Sequence, residues 1–295
     1  MILSRRARRL LTLIAVVGFS FIYAPLLVVI VNSFNSSKVF SWPPTGFTTE
    51  WWGRAAQNDG VRAALLTSVE VALLASLAAI VLGSMIAFAV WRFKFFGRNS
   101  ISFLIVLPIA LPGIVTGIAL NSSFSTVLVP LGISFGLLTV VIAHTTFCIV
   151  VIFNNVAARL RRMSSSLEEA SMDLGATPMQ TFWRVTFPAI RSAVVAGALL
   201  AFALSFDEIV VTTFTSGPGF ETLPQWIFNN LFRPNQGPIV NAVAAALIVL
   251  FILPVYLAQR LSDGDGGRAA RGKAEPIQAS TDVRAARALT EGAVP

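Results

Sequence analysis

The sequence predicts an all-α integral membrane protein with about six transmembrane helices. Of its 295 residues, 55% are hydrophobic and only 12% are charged, whereas soluble domains carry about a quarter charged residues. The apolar residues fall in runs of roughly 20, the length that an α-helix needs to cross a bilayer core of about 30 Å. A chain of this composition belongs in lipid.

Six apolar segments are long enough to cross the bilayer once each. The first follows four arginines, as a signal peptide would, but its apolar stretch is too long and no small-residue cleavage site follows. We therefore expect it to remain as a helix. The predicted spans are Leu10–Val31, Ala63–Val90, Ile101–Leu120, Leu137–Val156, Ser192–Phe214 and Ile239–Leu257.

The distribution of basic residues predicts the orientation. Eighteen of the 22 lysines and arginines lie in the N-terminus, the second and fourth connections and the C-terminal tail. By the positive-inside rule, these segments and both termini are cytoplasmic. The prediction is a multi-pass membrane protein, with a basic N-terminus (1–9), a transmembrane domain (10–260) and a disordered tail (261–295) that is rich in Ala, Gly and Arg.

The third span contains residues that interrupt helices, namely Pro108, Pro112, Gly113 and Gly117. Such interruptions are tolerated where protein or a water-filled cavity satisfies the freed backbone groups, so we expect this span beside a pathway. The Gly113-xxx-Gly117 spacing also permits close approach of another helix, and simple packing is its commoner meaning.

The outer connections contain further expected elements. The first outer loop carries Trp42, Trp51 and Trp52, as expected of a segment at the headgroup level. In the last outer loop, Gly217-Pro218-Gly219 breaks the chain before an apolar segment, Leu223–Phe232, that we expect to lie along the interface.

Composition argues against several other classes of function. A single cysteine excludes a disulfide framework, and with one histidine it excludes the usual zinc sites. His144 and Cys148 share a face of the fourth span, where packing is the commoner role. The net charge of +8 could suggest nucleic acid, but the basic residues lie beside apolar runs, which indicates membrane anchoring. Gly267-xxxx-Gly272-Lys273 imitates a phosphate-binding loop, yet Ala274 replaces its hydroxyl residue.

The connection between the fourth and fifth spans, residues 157–191, is long and patterned. Ser165 with Glu168, and Ser166 with Glu169, have capping-box spacing, which predicts a short helix running to about Leu174. Gly175 then ends this helix. Thr177-Pro178-Met179-Gln180 predicts the start of a second short helix that carries Phe182 and Trp183 and ends near Pro188. Two such helices would form a compact cytoplasmic knob with an exposed apolar face for a partner.

This loop resembles a known motif. Glu169-Ala170-Ser171, three residues, Gly175, nine residues and Val185-x-Phe187-Pro188 match the EAA loop of permease subunits of ATP-binding-cassette importers, whose pattern is E-A-A, three residues, G, nine residues, I-x-L-P. The spacing matches throughout, and Ser171, Val185 and Phe187 are mild departures.

The resemblance implies that the knob is a coupling helix seated in a groove of a separate ATPase subunit. Glu169 would pair with a basic residue of the ATPase, with Ala170 beside it. Gly175 would allow the tight turn, and Pro188 would fix the return into the membrane. The expected partners are a second permease, an ATPase dimer and an extracytoplasmic substrate-binding protein, with lipid around them. ATP with magnesium would be held by the ATPase, and this chain would bind no cofactor and catalyse no reaction.

The predicted fifth span ends with an acidic pair, Asp207 and Glu208. Counting about 1.5 Å per residue from Arg191 places the pair roughly 24 Å from the cytoplasmic end. On a continuous helix the two side chains would point about 100° apart. Acidic residues inside spans usually face a cavity and mark a substrate path, although an interfacial or packing role is also open.

Ser205-Phe206-Asp207-Glu208, with Phe214-Thr215-Ser216-Gly217-Pro218-Gly219 further on, resembles the second membrane subunit of the spermidine/putrescine branch of these permeases. The resemblance covers most of residues 10–260 and implies a small cationic amine as substrate. Three alternatives remain: an importer of another small amino compound, a self-sufficient carrier or channel, and a membrane-embedded enzyme. We find no internal repeat of the kind that carriers show, and the spans offer few catalytic side chains.

Overall fold

The fold is all-α, as the sequence predicts. A computed structural model describes residues 4–39, 42–164 and 166–251. Within these residues, β-pairing is limited to an isolated antiparallel bridge between Asn35 and Phe47. The helices are α1 (Arg5–Asn32), α2 (Glu50–Gln57), α3 (Asp59–Arg92), α4 (Arg98–Ala110), α5 (Gly113–Val127), α6 (Leu137–Leu160), α7 (Ser166–Asp173), α8 (Pro178–Thr181), α9 (Phe187–Phe206), α10 (Val210–Thr215), α11 (Leu223–Leu231) and α12 (Gly237–Phe251).

Five helical segments of the described chain are long and apolar enough to cross a membrane. They are Arg5–Asn32, Asp59–Arg92, Gly113–Leu131, Leu137–Leu160 and Pro178–Phe206. The shorter apolar helix α12 lies where the sixth span was predicted. The remainder of that predicted span, the tail and the sequence around Gly267 lie outside the described residues, so a count of six spans stays a prediction.

Side-chain size is distributed across α3 as expected for a membrane helix. The side that packs on α6 and α9 carries small residues, among them Ala72, Ala75 and Ala79, which are all fully buried. The opposite side exposes large residues such as Leu66 and Leu77. Small residues let helix backbones approach closely where no hydrophobic effect drives helices together, whereas large apolar residues suit lipid or a partner subunit.

Two predicted spans are interrupted. The third divides at Leu111 and Pro112 into α4 and α5, because Pro112 has no N–H to continue the helix, and α5 then extends to Val127 beyond the predicted end. The fifth was predicted as one helix from Ser192 to Phe214, and this is wrong. The helix stops at Phe206, and α10 begins only at Val210.

The connection from α7 into α9 also differs from the prediction. Pro188 does not end a separate short helix, because α8 continues through a π-helical segment, Phe182–Thr186, directly into α9. The wider turn is bonded from the Phe187 N–H to the Phe182 carbonyl. A π turn rearranges the hydrogen bonds just before a residue that cannot donate one, and so the chain passes Pro188 without a break.

The apolar segment predicted at Leu223–Phe232 is a helix, α11, to within one residue, and its place along the outer interface stays a prediction. Thr222 caps it with Gln225 in a capping box, and Pro224 stands in the first turn. The first outer loop is held by the Trp51 indole N–H, which donates to the Asn35 carbonyl at 2.8 Å. Trp51 is thus buried, while Trp42 is exposed.

The described chain divides into two compact units. The larger comprises residues 27–243 and contains the buried core, in which α3, α6 and α9 pack together around Ile152, Val156 and Leu160. The smaller comprises residues 4–26 and 244–251. The candidate site residues all belong to the larger unit.

Candidate functional site

The turn at Gly175 has the geometry that the motif predicts. Gly175 adopts a φ of +86° after α7, in the left-handed region that favours glycine. Its N–H donates to the Met172 carbonyl at 2.9 Å, and the Ala176 N–H donates to the Ser171 carbonyl at 3.1 Å. This pair of bonds is a Schellman motif, and it reverses the chain directly into α8.

The start of α8 is also as predicted. Thr177 accepts from the Gln180 N–H at 3.3 Å, and the Gln180 side chain accepts from the Thr177 N–H at 2.9 Å. The Ser171 and Thr181 hydroxyls lie 3.1 Å apart and join α7 to α8. The two helices therefore form one knob, which we call the coupling loop and define as residues 166–187.

The coupling loop exposes a mixed surface. Leu174, Met179 and Trp183 are at least half exposed, and the carboxylate residue Glu169 is exposed beside them. Phe182 instead turns inward, and its ring lies 5.4 Å from that of Phe88 on α3. Large apolar residues exposed on one short segment are typical of an interaction surface.

The cap predicted for Ser165 with Glu168 stays a prediction, but the carboxylate of Glu168 has partners that the sequence did not predict. The side chain of Glu168 is only 6% exposed and forms an ion pair with Arg92 at the end of α3, at 2.5 Å. Its other oxygen accepts from the Thr186 hydroxyl at 2.5 Å. Ser165 lies outside the described residues, and Ser166 is the first helical residue of α7 rather than its cap. No sequence pattern links Arg92 to Glu168, because they come together only through the fold.

Asp207 and Glu208 lie in the gap between α9 and α10, so they are not one turn of a helix. Asp207 follows the last residue of α9, and its side chain is exposed. Glu208 accepts from the Val211 N–H at 2.9 Å and so caps the start of α10. The expectation of side chains 100° apart on one helix is therefore wrong, and the two acids have different surroundings.

Buried hydrogen bonds hold this gap in place. His144 on α6 is fully buried, with Nδ1 2.8 Å from the Ser205 hydroxyl and Nε2 2.8 Å from the Thr212 hydroxyl. Since Thr212 already donates its hydroxyl hydrogen to the Glu208 carbonyl at 2.8 Å, Nε2 must carry the ring hydrogen that Thr212 accepts. His144 thus joins α6 to both sides of the gap. Its neighbour Cys148 has the packing role that was expected, with the thiol directed at the Ala201 carbonyl.

Two glycines of α5, Gly113 and Gly117, pack against α10, which follows the gap. A Cβ added at Gly117 would lie 2.6 Å from the ring of Phe214, so the two helices touch there because residue 117 is glycine. Asn121, one turn further along, donates to the Phe214 carbonyl at 2.7 Å. The predicted close-packing role of the Gly113-xxx-Gly117 spacing is confirmed, and its partner is α10.

One further carboxylate was missed. Glu70 lies within the predicted second span, on the exposed side of α3 between Leu66 and Leu74, and pairs with no described basic residue. Gly83 and Gly197 both pack on Ile152. At about 1.5 Å per residue, Glu70 lies about 20 Å from Gly83 along α3, and Asp207 lies about 15 Å from Gly197 along α9. Both distances run in the same direction, away from the coupling loop, so the two acids lie at similar depths.

The candidate residues form two groups. Glu169, Ala170 and Gly175 are exposed together on the coupling loop, and Pro188 follows at the start of α9. Asp207 and Glu208 lie beyond the other end of α9, which is 20 residues or about 30 Å long. The structure thus separates a surface suited to a partner from a polar break suited to a permeant molecule.

Known proteins are similar to this chain in sequence and in fold. Residues 79–264 match the family described as "Binding-protein-dependent transport system inner membrane component". The chain is 39% identical to the putrescine transport system permease protein PotI of Escherichia coli K12 over 80% of its own length and 84% of that protein. It is 34% identical to the spermidine/putrescine transport system permease protein PotC of Haemophilus influenzae, over 83% of this chain and 93% of that one.

The fold is also found among solved structures. A chain from the crystal structure of a bacterial ABC transporter that imports the acidic polysaccharide alginate superposes with a TM-score of 0.64, covering 90% of this chain and 99% of that chain. Sequence identity to it is 17%, so the likeness concerns the fold alone. Together with the family match over most of the transmembrane domain, these findings show that the chain belongs to the inner-membrane components of binding-protein-dependent transport systems.

Proposed function

We propose that this chain is one permease subunit of an ATP-driven importer for a small cationic amine of the polyamine class. The observation that carries the substrate class is Asp207, an exposed carboxylate at a break between two membrane helices. A carboxylate at membrane depth is costly, by about 2.5–3.5 kcal/mol at the centre of a span, unless it meets water, a cation or a hydrogen-bond donor. A cationic substrate supplies that partner.

The surrounding architecture supports a substrate path at this break. The gap is lined on one side by the interrupted third span and is fixed by the buried bonds of His144, so Asp207 is held in place while its carboxylate stays accessible. Glu70 adds a second accessible carboxylate at a similar depth. Two separated acids suit a substrate with more than one cationic group, because each carboxylate is attracted more strongly in a low-dielectric environment than in water.

Relatives with known names agree with this substrate class. PotI is named for putrescine transport, and PotC for spermidine and putrescine transport. The runner-up is import of another small amino compound, for which Asp207 would bind a single amine.

We further propose that the coupling loop docks on a separate ATPase. Glu169 would pair with a basic residue of that subunit, with Ala170 in the contact and Leu174, Met179 and Trp183 as its apolar part. Gly175 would keep the turn tight, and Pro188 would mark where α9 leaves the loop. Magnesium and ATP would bind to the ATPase, and this chain itself would catalyse no reaction.

The complete importer would contain this chain, a second similar permease, an ATPase dimer and an extracytoplasmic binding protein. One such chain supplies one coupling loop, whereas an ATPase dimer presents two grooves. The orientation we propose places both termini and the coupling loop in the cytoplasm of a bacterial cell, with α11 at the outer face of the inner membrane.

Uptake of labelled putrescine into vesicles that contain the complete importer tests this proposal. We expect uptake that requires ATP and the binding protein, and that unlabelled spermidine reduces while neutral amino acids do not. Uptake by vesicles that contain this chain alone would exclude the subunit role. Competition by monoamines or amino acids but not by polyamines would favour the second substrate class.

A further inference from the structure

An ion pair between the buried Glu168 and the partly exposed Arg92 joins the coupling loop to α3. Both carboxylate oxygens of Glu168 have a donor of their own, the Arg92 guanidinium and the Thr186 hydroxyl. The two donors belong to different segments, the end of α3 and the π segment that precedes α9. Glu168 therefore connects three parts of the chain at one point.

The ion pair is the main link between α7 and α3. α7 otherwise packs on α8 and the π segment, which belong to the same loop. A cavity of about 190 Å³ lies beside the ion pair and is lined by Phe88, Met172 and Phe182 among others. Because side chains do not fill this space, the charged contact holds α7 and α3 together where apolar packing does not.

α3 reaches from this ion pair to the opposite end of the larger unit. It contains 34 residues and is about 50 Å long. Near its other end, the Ser68 hydroxyl accepts from the Leu223 N–H of α11 at 2.8 Å. A Cβ added at Gly60 would lie 2.9 Å from the indole nitrogen of Trp226, also on α11. One continuous helix thus contacts both the coupling loop and α11.

We propose that Glu168 is the positioning residue through which movement of α7, the first helix of the coupling loop, reaches α3 and, along it, α11. This inference rests on the proposed coupling of the loop to an ATPase. A buried carboxylate is strongly disfavoured without its cation, so α7 cannot move away from Arg92 without taking α3 with it. The motif residues Glu169 and Gly175 would engage the ATPase, whereas Glu168 would transmit the movement inward.

Charge removal at this joint tests the inference in the complete importer. In vesicles that contain the second permease, the ATPase and the binding protein, Arg92→Gln and Glu168→Gln should retain ATP hydrolysis. Uptake of labelled putrescine per ATP hydrolysed should fall about fivefold or more, within the usual range of coupling between sites. Glu169→Gln is the matched control, because this neighbouring carboxylate is exposed and should affect ATPase docking. Hydrolysis and uptake should fall together in that variant.

A chemical cross-link separates transmission from general damage. In an Arg92→Cys/Glu168→Cys variant, a reducible bifunctional thiol reagent joins the two thiols and replaces the ion pair by a covalent link. The native Cys148 is fully buried and offers the reagent no surface. We expect cross-linking to restore uptake per ATP and reduction to abolish it again. If either single variant fails to assemble, Arg92→Met/Glu168→Met removes both charges of the ion pair and leaves no buried carboxylate, and this double variant should assemble yet remain uncoupled.

The outcomes distinguish the inference from the function on which it rests. Wild-type uptake per ATP in the Glu168→Gln, Arg92→Gln or double methionine variants would overturn the positioning role, as would equal ratios before and after cross-linking. If Glu169→Gln also assembles, hydrolyses ATP and transports normally, the proposed docking of the coupling loop is itself wrong.

Discussion

Substitution of Gly175 tests the coupling loop at its turn. Gly175 has a φ of +86°, and a Cβ added there would meet no other atom within 4 Å. A side chain would therefore cause backbone strain without a clash. That strain amounts to about 1–2 kcal/mol for a non-glycine residue. Asparagine should lie at the low end, since it tolerates left-handed geometry, and β-branched valine at the high end.

This strain sets the expected loss of coupling. A penalty of about 1–2 kcal/mol lowers the population of the native turn about five- to thirtyfold where the loop is free to choose another geometry. ATP-dependent uptake should then decrease in the order Gly175→Asn, Gly175→Ala, Gly175→Val, while the amount of protein in the membrane stays normal. Labelled-putrescine uptake and ATP hydrolysis, measured on the same vesicles, give both quantities.

Gly132 offers a matched control. It has a φ of +83° and the same open surroundings, but it lies in the turn before α6, outside the coupling loop. Gly132→Val imposes the same local strain and should leave uptake close to the wild-type level. The reasoning is refuted if Gly175→Val, at normal expression, transports like the wild type. It is also refuted if Gly132→Val loses as much activity as Gly175→Val.

Three further predictions concern the acids and the buried histidine. Asp207→Asn should weaken amine uptake about ten- to a hundredfold in apparent affinity, by loss of a charge-assisted hydrogen bond, whereas Glu208→Gln, which can still cap α10, should change it little. His144→Ala should lower the free energy of unfolding in detergent by about 1–3 kcal/mol, because the buried Ser205 hydroxyl loses its acceptor, and an unchanged value would contradict the bonding described above. Glu70→Gln should reduce putrescine uptake while assembly is preserved, and wild-type affinity would exclude Glu70 from the path.

Local sequence signals predicted the short helices and turns well. The Thr177 cap, the reversal at Gly175 and the start of α11 each depend on a few adjacent residues, and each is found as expected. Their geometry follows from hydrogen bonds between neighbours in the chain, which the sequence displays directly. The motif residues of the coupling loop could therefore be placed without knowledge of the fold.

Long-range contacts could not be predicted in the same way. Arg92 and Glu168 are 76 positions apart, and His144 and Ser205 are 61 apart. Glu168 also fitted a local alternative, a capping box, because its spacing from Ser165 is correct for one. The spacing of Ser165 and Glu168 alone does not reveal that the Glu168 carboxylate pairs with Arg92, which only the fold brings beside it.

The break after Phe206 was missed because apolarity alone does not report where a helix ends. Residues 209–214 are apolar enough to continue a span, and neither proline nor glycine interrupts the chain at the acids. The helix ends there because the hydroxyls of Ser205 and Thr212 bond to His144 on another helix, and because Glu208 supplies a cap for the next one. Local side chains satisfy backbone groups that the gap frees, since Glu208 accepts from the Val211 N–H and the Thr212 hydroxyl donates to the Glu208 carbonyl, while His144 fixes the two sides of the gap through its own side chain.

This break also explains how two adjacent acids can occur at a depth where even one carboxylate costs free energy. The carboxylate of Glu208 accepts a hydrogen bond from the Val211 N–H, so Glu208 has a partner within the chain. Asp207 has no comparable bond to a described residue, and its side chain is exposed. In a continuous helix both acids would have had to find partners outside the backbone. Because the helix ends before both acids, Glu208 can cap α10 while Asp207 is left for a cation, so the charge that selects an amine should reside on Asp207 rather than on the pair.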